Sequence, residues 1–225
     1  MNLSEYYLLK SFKYIRREWR NGRWRYWYEN TRGKFVEGRW GKILKEYVGD
    51  PRQAFKRLFK DKGGQAYDVV TLKLPALDID KDGKIYDVTQ TDGKPLVIDT
   101  PIDLIWGNNS YGIRHILKRH YVEQNDFESI EEVENTIAMN LIAFSKRPDL
   151  FNAEFDSDTN SFEILNRKKE KFIIRVEKDV DVYGVEAIRC YVLTSYDNSV
   201  SKNAKKITDS EEKEYRREQI NRTKY

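Results

Sequence analysis

A change in hydrophobic spacing near residue 150 constrains the fold of this chain more than any other feature. Before it, Ser129 and Glu132 form the S-x-x-E pattern that opens a helix. The apolar residues that follow recur at helical spacing: Ile130, Val133, Ile137, Leu141 and Phe144. After it, the segments SFEIL, KFIIRVE and EAIRCYVLTSY are typical of strands, and the polar turn NRKKE joins the first two. A block of helices followed by an antiparallel sheet predicts an α+β fold.

Both histidines of the chain, His115 and His120, lie in the segment YGIRHILKRHY upstream of that helix. Histidine has an ordinary pKa near neutrality, so this segment is the first candidate for acid–base chemistry. Asn108, Asn109 or Ser110 can cap a helix that begins near residue 111.

The spacing of the two histidines sets an expectation for their geometry. On an ideal α-helix, residues five positions apart diverge by about 140°, so one helix face cannot present both imidazoles as a close pair. His120 shares the apolar side of the helix and is expected to face the sheet, while His115 is expected at the surface. The plain alternative is that His120 is only a packed core residue.

The first 60 residues are strongly basic, with sixteen Lys and Arg against six Asp and Glu. Aromatic-rich runs flank Asn21-Gly22, a pair that suits a type I′ turn, and they predict a β-hairpin over residues 12–28. A short helix is predicted over residues 51–59, with Pro51 in its first turn. Residues 1–60 are therefore expected to be a basic aromatic N-terminal module.

The composition of this hairpin suits single-stranded nucleic acid, because aromatic rings stack on bases and arginines hold phosphates. The same alternation also predicts an aromatic core face and a solvated arginine face. It is equally typical of a surface that binds another protein. The candidate substrate-binding residues of the hairpin are Arg16, Arg20, Trp24, Arg25 and Trp27.

Residues 61–95 are rich in turn signals and are expected to be a linker or turn-rich connection. Within them, Asp78, Asp80 and Asp82 have the spacing of a calcium loop. The twelfth position of such a loop needs a bidentate acid, and here it is Thr89. A solvated turn is the favoured interpretation and a calcium site the alternative; no cofactor is expected.

No apolar run approaches the ~18 residues that span a bilayer, and the first residues contain no signal-peptide core. Cys190, the single cysteine, cannot form an internal disulfide, which fits a reducing compartment. The protein is therefore expected in the cytoplasm, without a membrane partner. Residues 198–225 are almost wholly polar and are expected to form a charged tail, either flexible or an exposed helix.

Hydroxyl groups and a guanidinium gather near the last predicted strands. Thr194, Ser195 and Tyr196 end the strand RCYVLTSY, and Arg175 lies within FIIRVE. Such groups at a sheet edge can hold a phosphate. The sequence has no glycine-rich phosphate loop, no paired-cysteine zinc pattern and no nucleophile elbow.

The succession of GIRHILKRH, the capped helix, the hairpin FEIL…KFIIRVE and the closing YVLTSY resembles the phage-associated Barnase–EndoU–colicin–RelE-like nuclease domains. The corresponding domain covers residues 96–197. The resemblance implies a small helical segment packed on an antiparallel sheet. It also implies metal-independent RNA cleavage, in which a ribose 2′-OH attacks the adjacent phosphorus. By position, the resemblance implies that His120, His115, Arg175 and Thr194 or Ser195 act in catalysis and that Arg119 supplies the cation before the second histidine. Lys118 and Tyr196, next to these positions, are further candidates for substrate binding.

The N-terminal segment is similar to proteins encoded beside phage head genes. The leading expectation is a phage-encoded ribonuclease or toxin-like nuclease that acts in the bacterial cytoplasm or is packaged in a virion. One alternative is a non-enzymatic virion or nucleic-acid-binding protein that keeps the nuclease fold, since activity depends on the site and not on the fold. The other is a protein-binding inhibitor or assembly factor. The expected partners are RNA, phage virion proteins or a cognate immunity protein.

Overall fold

Strands and helices follow one another in blocks along the chain. A computed structural model describes residues 13–20, 23–29, 35–37, 40–166, 170–180, 186–197 and 210–223. In chain order, the strands are β1 (Lys13–Arg20), β2 (Arg23–Glu29), β3 (Phe35–Glu37), β4 (Ile43–Leu44), β5 (Gln65–Pro75), β6 (Leu77–Ile79), β7 (Ile85–Asp87), β8 (Val97–Ile105), β9 (Phe151–Asp156), β10 (Ser161–Asn166), β11 (Glu170–Val180) and β12 (Glu186–Asp197). The helices are α1 (Pro51–Asp61), α2 (Ile113–Ile116), α3 (Ile130–Lys146) and α4 (Ser210–Arg222). A π-helix (Leu117–Glu123) continues α2, and a 3₁₀ turn (Pro148–Leu150) follows α3.

A mixed sheet lies at the centre of the fold, with seven of the described strands in the order β4-β5-β8-β12-β11-β10-β9. Its neighbouring strands run antiparallel except at β4–β5 and β8–β12, which run parallel. The parallel contact between β8 and β12 is short, because it pairs only Ile102 with Cys190 and Asp103 with Tyr191. The described residues also form a three-stranded sheet, β1-β2-β3, and a two-stranded sheet, β6-β7. The predicted α+β class is confirmed.

Helices cover one face of the central sheet, and alternate burial along the strands marks that face. On β11, Phe172, Ile174 and Val176 are buried, while the residues between them are partly exposed. α1 and α3 pack against each other and against β5. Their core side chains are Ala54, Phe55, Leu58 and Phe59 of α1 and Val133, Ile137, Leu141 and Phe144 of α3. Full burial of a large apolar side chain contributes roughly 1.5–3 kcal/mol, so this stripe anchors both helices.

The start of α3 follows the predicted capping pattern closely. The Ser129 hydroxyl accepts from the Glu132 N–H at 3.1 Å. The Glu132 carboxylate accepts from the Glu128 N–H at 2.6 Å, one residue before the position that a capping box uses. The predicted helix start is confirmed, with the partner of the acid shifted by one residue.

The predicted N-terminal hairpin is present as a strand pair. β1 and β2 pair antiparallel from Lys13 opposite Glu29 to Arg20 opposite Arg23. Residues 21–22, which carry the predicted type I′ turn, lie outside the described residues.

The segment 61–95, predicted to be a linker or turn-rich connection, supplies β5, the second strand from one edge of the central sheet. β5 pairs with β8 from Gln65 opposite Ile105 to Pro75 opposite Val97, with a bulge in between. Val70, Leu72 and Leu74 alternate along β5 and are buried, so the apolar alternation outweighs the turn signals around it. Residues 210–222, predicted as part of a polar tail, form α4, while residues 198–209 and 224–225 lie outside the description. Among the described helices, none combines the length and apolar character needed to cross a bilayer.

A buried carboxylate lies where β8 and β12 run parallel. Asp103 is 3% exposed, and it accepts from Gln65 Nε2 at 2.9 Å, Arg189 Nη1 at 3.0 Å and the Asp68 N–H at 3.0 Å. Desolvation outweighs the opposing charge of Arg189 and raises the pKa of Asp103 to about 6. Burial, reinforced by Asp103, also raises the pKa of the Cys190 thiol to about 12, so this cysteine stays protonated.

Asp103 is expected to make the stability of the fold depend on pH near pH 6. Its pKa is higher in the folded chain than the ~3.9 of an unfolded chain, so the folded state binds the proton more tightly. Stability is therefore gained as the pH falls through 6. Lowering the pH from 7 to 5 should raise the free energy of unfolding by about 1 kcal/mol relative to Asp103→Asn, measured by urea unfolding.

Asp99→Asn is the matched control for this measurement, since Asp99 lies exposed on the same strand and pairs with Lys73 at 3.0 Å. It should follow the wild-type pH dependence. If Asp103→Asn also shows the wild-type pH dependence, that dependence does not come from Asp103.

Candidate active site

The candidate site forms where β8 ends and β12 continues. Beyond their short parallel contact, the Gly112 N–H donates to the Leu193 carbonyl at 3.0 Å. The loop 106–112 and α2 therefore take the place that a longer β8 would occupy beside β12. This brings the histidine segment against the last part of β12.

Two glycines make the loop tight enough for this approach. Gly107 and Gly112 have φ of 73° and 81°, the left-handed region that glycine adopts freely. A Cβ at Gly107 would lie 2.0 Å from the Tyr111 carbonyl oxygen, and one at Gly112 would lie 2.9 Å from that of Ile105. No side chain fits at Gly107 without moving the loop.

The predicted capping residues act within this loop and not at the helix. α2 begins at Ile113, and its N-cap position is Gly112, which has no side chain to cap it. The Asn108 side chain accepts from the Ser110 N–H at 2.7 Å. The prediction that a helix begins near residue 111 under a polar cap is therefore wrong by two residues, because the left-handed Gly112 delays the first helical turn.

The two imidazoles lie close together, and the predicted divergence of about 140° is wrong. Their ring centroids are 5.8 Å apart with an interplanar angle of 86°. The prediction assumed an α-helix, whereas residues 117–123 form a π-helix, in which backbone bonds join residues five apart. The bond from the Gln124 N–H to the Arg119 carbonyl, at 2.9 Å, has this spacing. His115 lies in α2 just before this π-helix and His120 lies within it, so the wider winding between them brings the two rings closer than a continuous α-helix would.

His120 is the histidine that faces the sheet, as its apolar neighbours predicted. It is 5% exposed; its Nδ1 lies 2.6 Å from Asp126 Oδ2, and its Nε2 lies 2.9 Å from Thr194 Oγ1. A carboxylate only accepts, so Nδ1 carries the proton that bonds to Asp126. In the neutral imidazole, Nε2 then accepts from the Thr194 hydroxyl. Both ring nitrogens are held, and the ring cannot turn without breaking a buried bond.

A β-bulge brings Thr194 to His120. The register between β11 and β12 passes from Ile173 opposite Thr194 to Ile174 opposite Val192, which skips Leu193. A bulge re-aims the side chains next to it. The skipped Leu193 is also the residue whose carbonyl accepts from Gly112, so one irregularity positions both the hydroxyl and the loop.

His115 has a more open position and a different partner. It is partly exposed, and its Nδ1 lies 2.9 Å from the Asn109 carbonyl oxygen. A carbonyl only accepts, so Nδ1 carries the hydrogen and Nε2 is the acceptor nitrogen of the neutral ring. Desolvation lowers the pKa of His115 against the opposing Asn109 bond, and the charge of Arg119 lowers it further. His115 is therefore a neutral base at neutral pH.

The remaining predicted site residues are distributed unevenly around this pair. Lys118 and Arg119 are exposed on the π-helix. Arg175 donates to the Thr159 carbonyl, and its Nε lies 3.9 Å from a carboxylate oxygen of Glu177. On β11, Arg175 lies two residues after Ile173, the residue opposite Thr194. The side chains of Ser195 and Tyr196 lie outside the described part of the structure.

On the N-terminal hairpin, two predicted substrate-binding residues contact each other. The Arg16 guanidinium lies 6.0 Å from the centroid of the Trp27 ring, and Trp27 Nε1 donates to Glu18 at 3.2 Å. The side chains of Arg20, Trp24 and Arg25 lie outside the described residues.

The calcium alternative falls in the β6–β7 hairpin. Asp80 accepts from the N–H groups of Asp82 and Lys84 at 3.0 and 2.7 Å, and Asp78 lies 3.2 Å from the Tyr86 hydroxyl. These carboxylates thus hold a turn together. The described residues contain no group of three or more His, Cys, Asp or Glu side chains arranged to hold a metal.

Asp126 is the member of the site that sequence reasoning missed. It lies in the loop between the π-helix and α3, among the acidic neighbours Glu123 and Glu128. Nothing in its spacing separates it from them, because its contact with His120 depends on the π-helix and on the left-handed Asn125 beside it, with φ 59°.

Comparison with known proteins returns no relative for this chain. No protein-family model matches it, and neither a curated protein nor a solved structure does. What the site does chemically therefore has to be inferred from its own geometry.

Removing the Thr194 hydroxyl is expected to destabilise the fold. Thr194→Val keeps the side-chain shape but deletes the hydroxyl that bonds to His120 Nε2. Loss of a partner by a buried polar group costs about 1–3 kcal/mol, which denaturant unfolding can measure. Thr71→Val, exposed on β5, should change the free energy of unfolding by no more than about 0.5 kcal/mol. Equal effects of the two substitutions would contradict the role given to the hydroxyl.

Proposed function

We propose that this chain is a metal-independent endoribonuclease whose acid–base centre is the His115–His120 pair. The observation that carries the proposal is the 5.8 Å approach of two imidazoles, of which one is fixed at both nitrogens and the other presents an acceptor nitrogen near the surface. General acid–base catalysis needs a positioned group that titrates near the working pH.

Transfer of the RNA phosphate fits this arrangement. His115 Nε2 takes the proton of a ribose 2′-OH, O2′ forms a bond to phosphorus, and the P–O5′ bond breaks to leave a 2′,3′-cyclic phosphate. The departing O5′ takes a proton, which the imidazolium of His115 returns. Lys118 and Arg119 supply positive charge to the phosphate, since both are exposed on the same segment.

This assignment reverses the expected order of the two histidines. His120 has its nitrogens occupied by Asp126 and Thr194 and is buried, so it acts by fixing the segment. Thr194 orients the His120 ring through its hydrogen bond to Nε2. Arg175 donates to the Thr159 carbonyl and lies beside Glu177. Proton transfer at substrate therefore falls to His115.

The biological setting of the proposal rests on the resemblance over residues 96–197 to phage-associated Barnase–EndoU–colicin–RelE-like nuclease domains. On that resemblance, the protein is a phage-encoded or toxin-like nuclease that acts on RNA in the bacterial cytoplasm or travels in a virion. A cognate immunity protein or virion proteins are its further partners. The α+β arrangement, with helices on one face of a sheet, is compatible with that fold family.

Cleavage of a labelled RNA oligonucleotide in the presence of EDTA tests the proposal. The wild-type protein is expected to cut and to leave a cyclic phosphate end. His115→Ala should lower the rate by at least about 100-fold, the lower range for loss of a general acid–base group. Glu128→Ala, exposed before α3, is the control and should leave the rate unchanged.

The same oligonucleotide with one 2′-deoxy nucleotide at the cut site sharpens the test. It should resist cleavage at that position, because the attacking hydroxyl is missing. Cleavage at the deoxy position, or identical rates for wild type and His115→Ala, would sink the mechanism. Absence of any wild-type cleavage would sink the enzymatic function.

The second candidate function is binding of nucleic acid without cleavage. The burial and complete hydrogen bonding of His120 favour it, because a structural histidine has the same features. The Arg16 guanidinium beside the Trp27 ring, 6.0 Å from its centroid, also matches a surface for single-stranded nucleic acid.

Salt-dependent binding of a non-cleavable, fully 2′-deoxy strand locates the residues that bind phosphate. Replacing both Lys118 and Arg119 with Glu should lower the slope of log affinity against log salt by about 0.7 for each phosphate that the protein no longer neutralises, measured by fluorescence anisotropy. Lys146→Glu, exposed at the end of α3, should keep the wild-type slope. If Arg16→Glu lowers the slope and the Lys118/Arg119 variant does not, binding belongs to the hairpin and the non-enzymatic function is favoured.

A further inference from the structure

One arginine of α4 reaches across to the loop that carries Asp126. Arg216 Nη1 donates to the carbonyls of Tyr121 at 2.8 Å and Phe127 at 2.9 Å, and its Nη2 donates to the Asn125 side chain. The guanidinium also lies 5.0 Å from the centroid of the Tyr121 ring. The Arg216 side chain is only 12% exposed, on a helix that has no buried residue.

Arg216 contacts the residues directly before and after Asp126 in the sequence. Asn125 and Phe127 flank Asp126, and Tyr121 follows His120. The Asp126 carboxylate is fully buried, and in the described part of the chain its Oδ1 has no hydrogen-bond partner. Its position therefore depends on how the backbone of the loop is held, and Arg216 holds that backbone from outside.

The planar guanidinium suits this task in a way that an ammonium does not. Arg presents several donors in a fixed fork, so a single side chain can fix three acceptors at once. Glu212 balances the charge, with an oxygen 3.0 Å from Arg216 Nη2. The positive charge of Arg216 is thus compensated within α4. Its contact with the loop consists of directed hydrogen bonds.

A second contact docks the far end of α4. Lys62 Nζ donates to the Ile220 carbonyl at 2.8 Å, and Ile220 packs against the core. Partial desolvation lowers the pKa of Lys62 to about 8, and its Nζ lies 3.1 Å from the centroid of the Phe59 ring. A helix of 13 residues with little apolar surface is marginal by itself, so these contacts decide whether it forms.

We infer that Arg216 is a positioning residue that sets the His120–Asp126 hydrogen bond by holding residues 121–127, which run from the end of the π-helix into the loop before α3. Docking of α4 then controls the acid–base centre. The inference rests on the proposed function for its catalytic consequence, while its structural core concerns one bond and can be tested without activity. Arg216 touches no substrate in this scheme. Its loss should lower kcat and leave KM within about twofold, the pattern for a change that leaves substrate binding intact.

Exchange of the His120 Nδ1 hydrogen with water, followed by NMR on the full chain, tests the inference. Arg216→Ala should accelerate this exchange at least tenfold, because the carboxylate that holds the hydrogen is no longer fixed. Arg216→Lys keeps the charge but not the fork, so it should also exchange faster than wild type. Arg217→Ala is the matched control: Arg217 is 54% exposed on the same helix and pairs with Glu214 at 3.2 Å, so wild-type exchange is expected.

The outcomes separate this inference from the proposed function. Wild-type exchange in Arg216→Ala would overturn the inference, whether or not RNA is cleaved. If Arg216→Ala does not fold, Arg216→Lys decides, with wild-type exchange overturning the inference and faster exchange supporting it. Absence of RNA cleavage by the wild type removes the catalytic consequence but leaves the exchange result to judge the clamp.

Discussion

Two hydrogen bonds to one buried imidazole join parts of the chain that no local interaction would bring together. Asp126 lies six residues after His120, and Thr194 lies 74 residues after it. The imidazole donates at Nδ1 and accepts at Nε2, so it is complete only between an acceptor and a hydroxyl that donates. Loss of either partner leaves a buried polar group with a cost of about 1–3 kcal/mol. The loop before α3, the π-helix and the last part of β12 are therefore constrained to one arrangement.

The two histidines differ in what their partners do to them. His115 Nδ1 bonds to a backbone carbonyl, which by itself would raise the pKa of the ring. Partial burial has the larger effect and lowers that pKa. A carboxylate stands against His120 Nδ1 in the interior. Neighbouring groups of one chemical type can thus take separate roles, a base near the surface and a fixed ring below it.

The sequence predicted those parts of the fold that depend on local patterns. The cap at Ser129 and the apolar spacing after it indicated α3, and alternation indicated the strands after residue 160. The π-helix could not be predicted in this way, because the same residues at the same spacing suit an α-helix, and the choice between the two is made by packing. The parallel contact of β8 with β12 and the contact of Asp126 with His120 are likewise long-range or backbone-dependent. Hence the sequence singled out His115, His120 and Thr194 or Ser195 as candidates, but it did not predict their mutual geometry.

Several departures from regular backbone lie around this site. Gly107 and Gly112 adopt positive φ, Asn125 does so without being glycine, residues 117–123 form a π-helix, and the β11–β12 register is broken beside Thr194. Positive φ costs glycine little, but the left-handed Asn125, the π-helix and the broken register are less favourable than regular structure and persist only where surrounding contacts over-determine them. Here the contacts that maintain them are the bonds of His120, the Gly112–Leu193 bond and the clamp of Arg216. The geometry of the His115–His120 pair therefore depends on these irregular segments being held together.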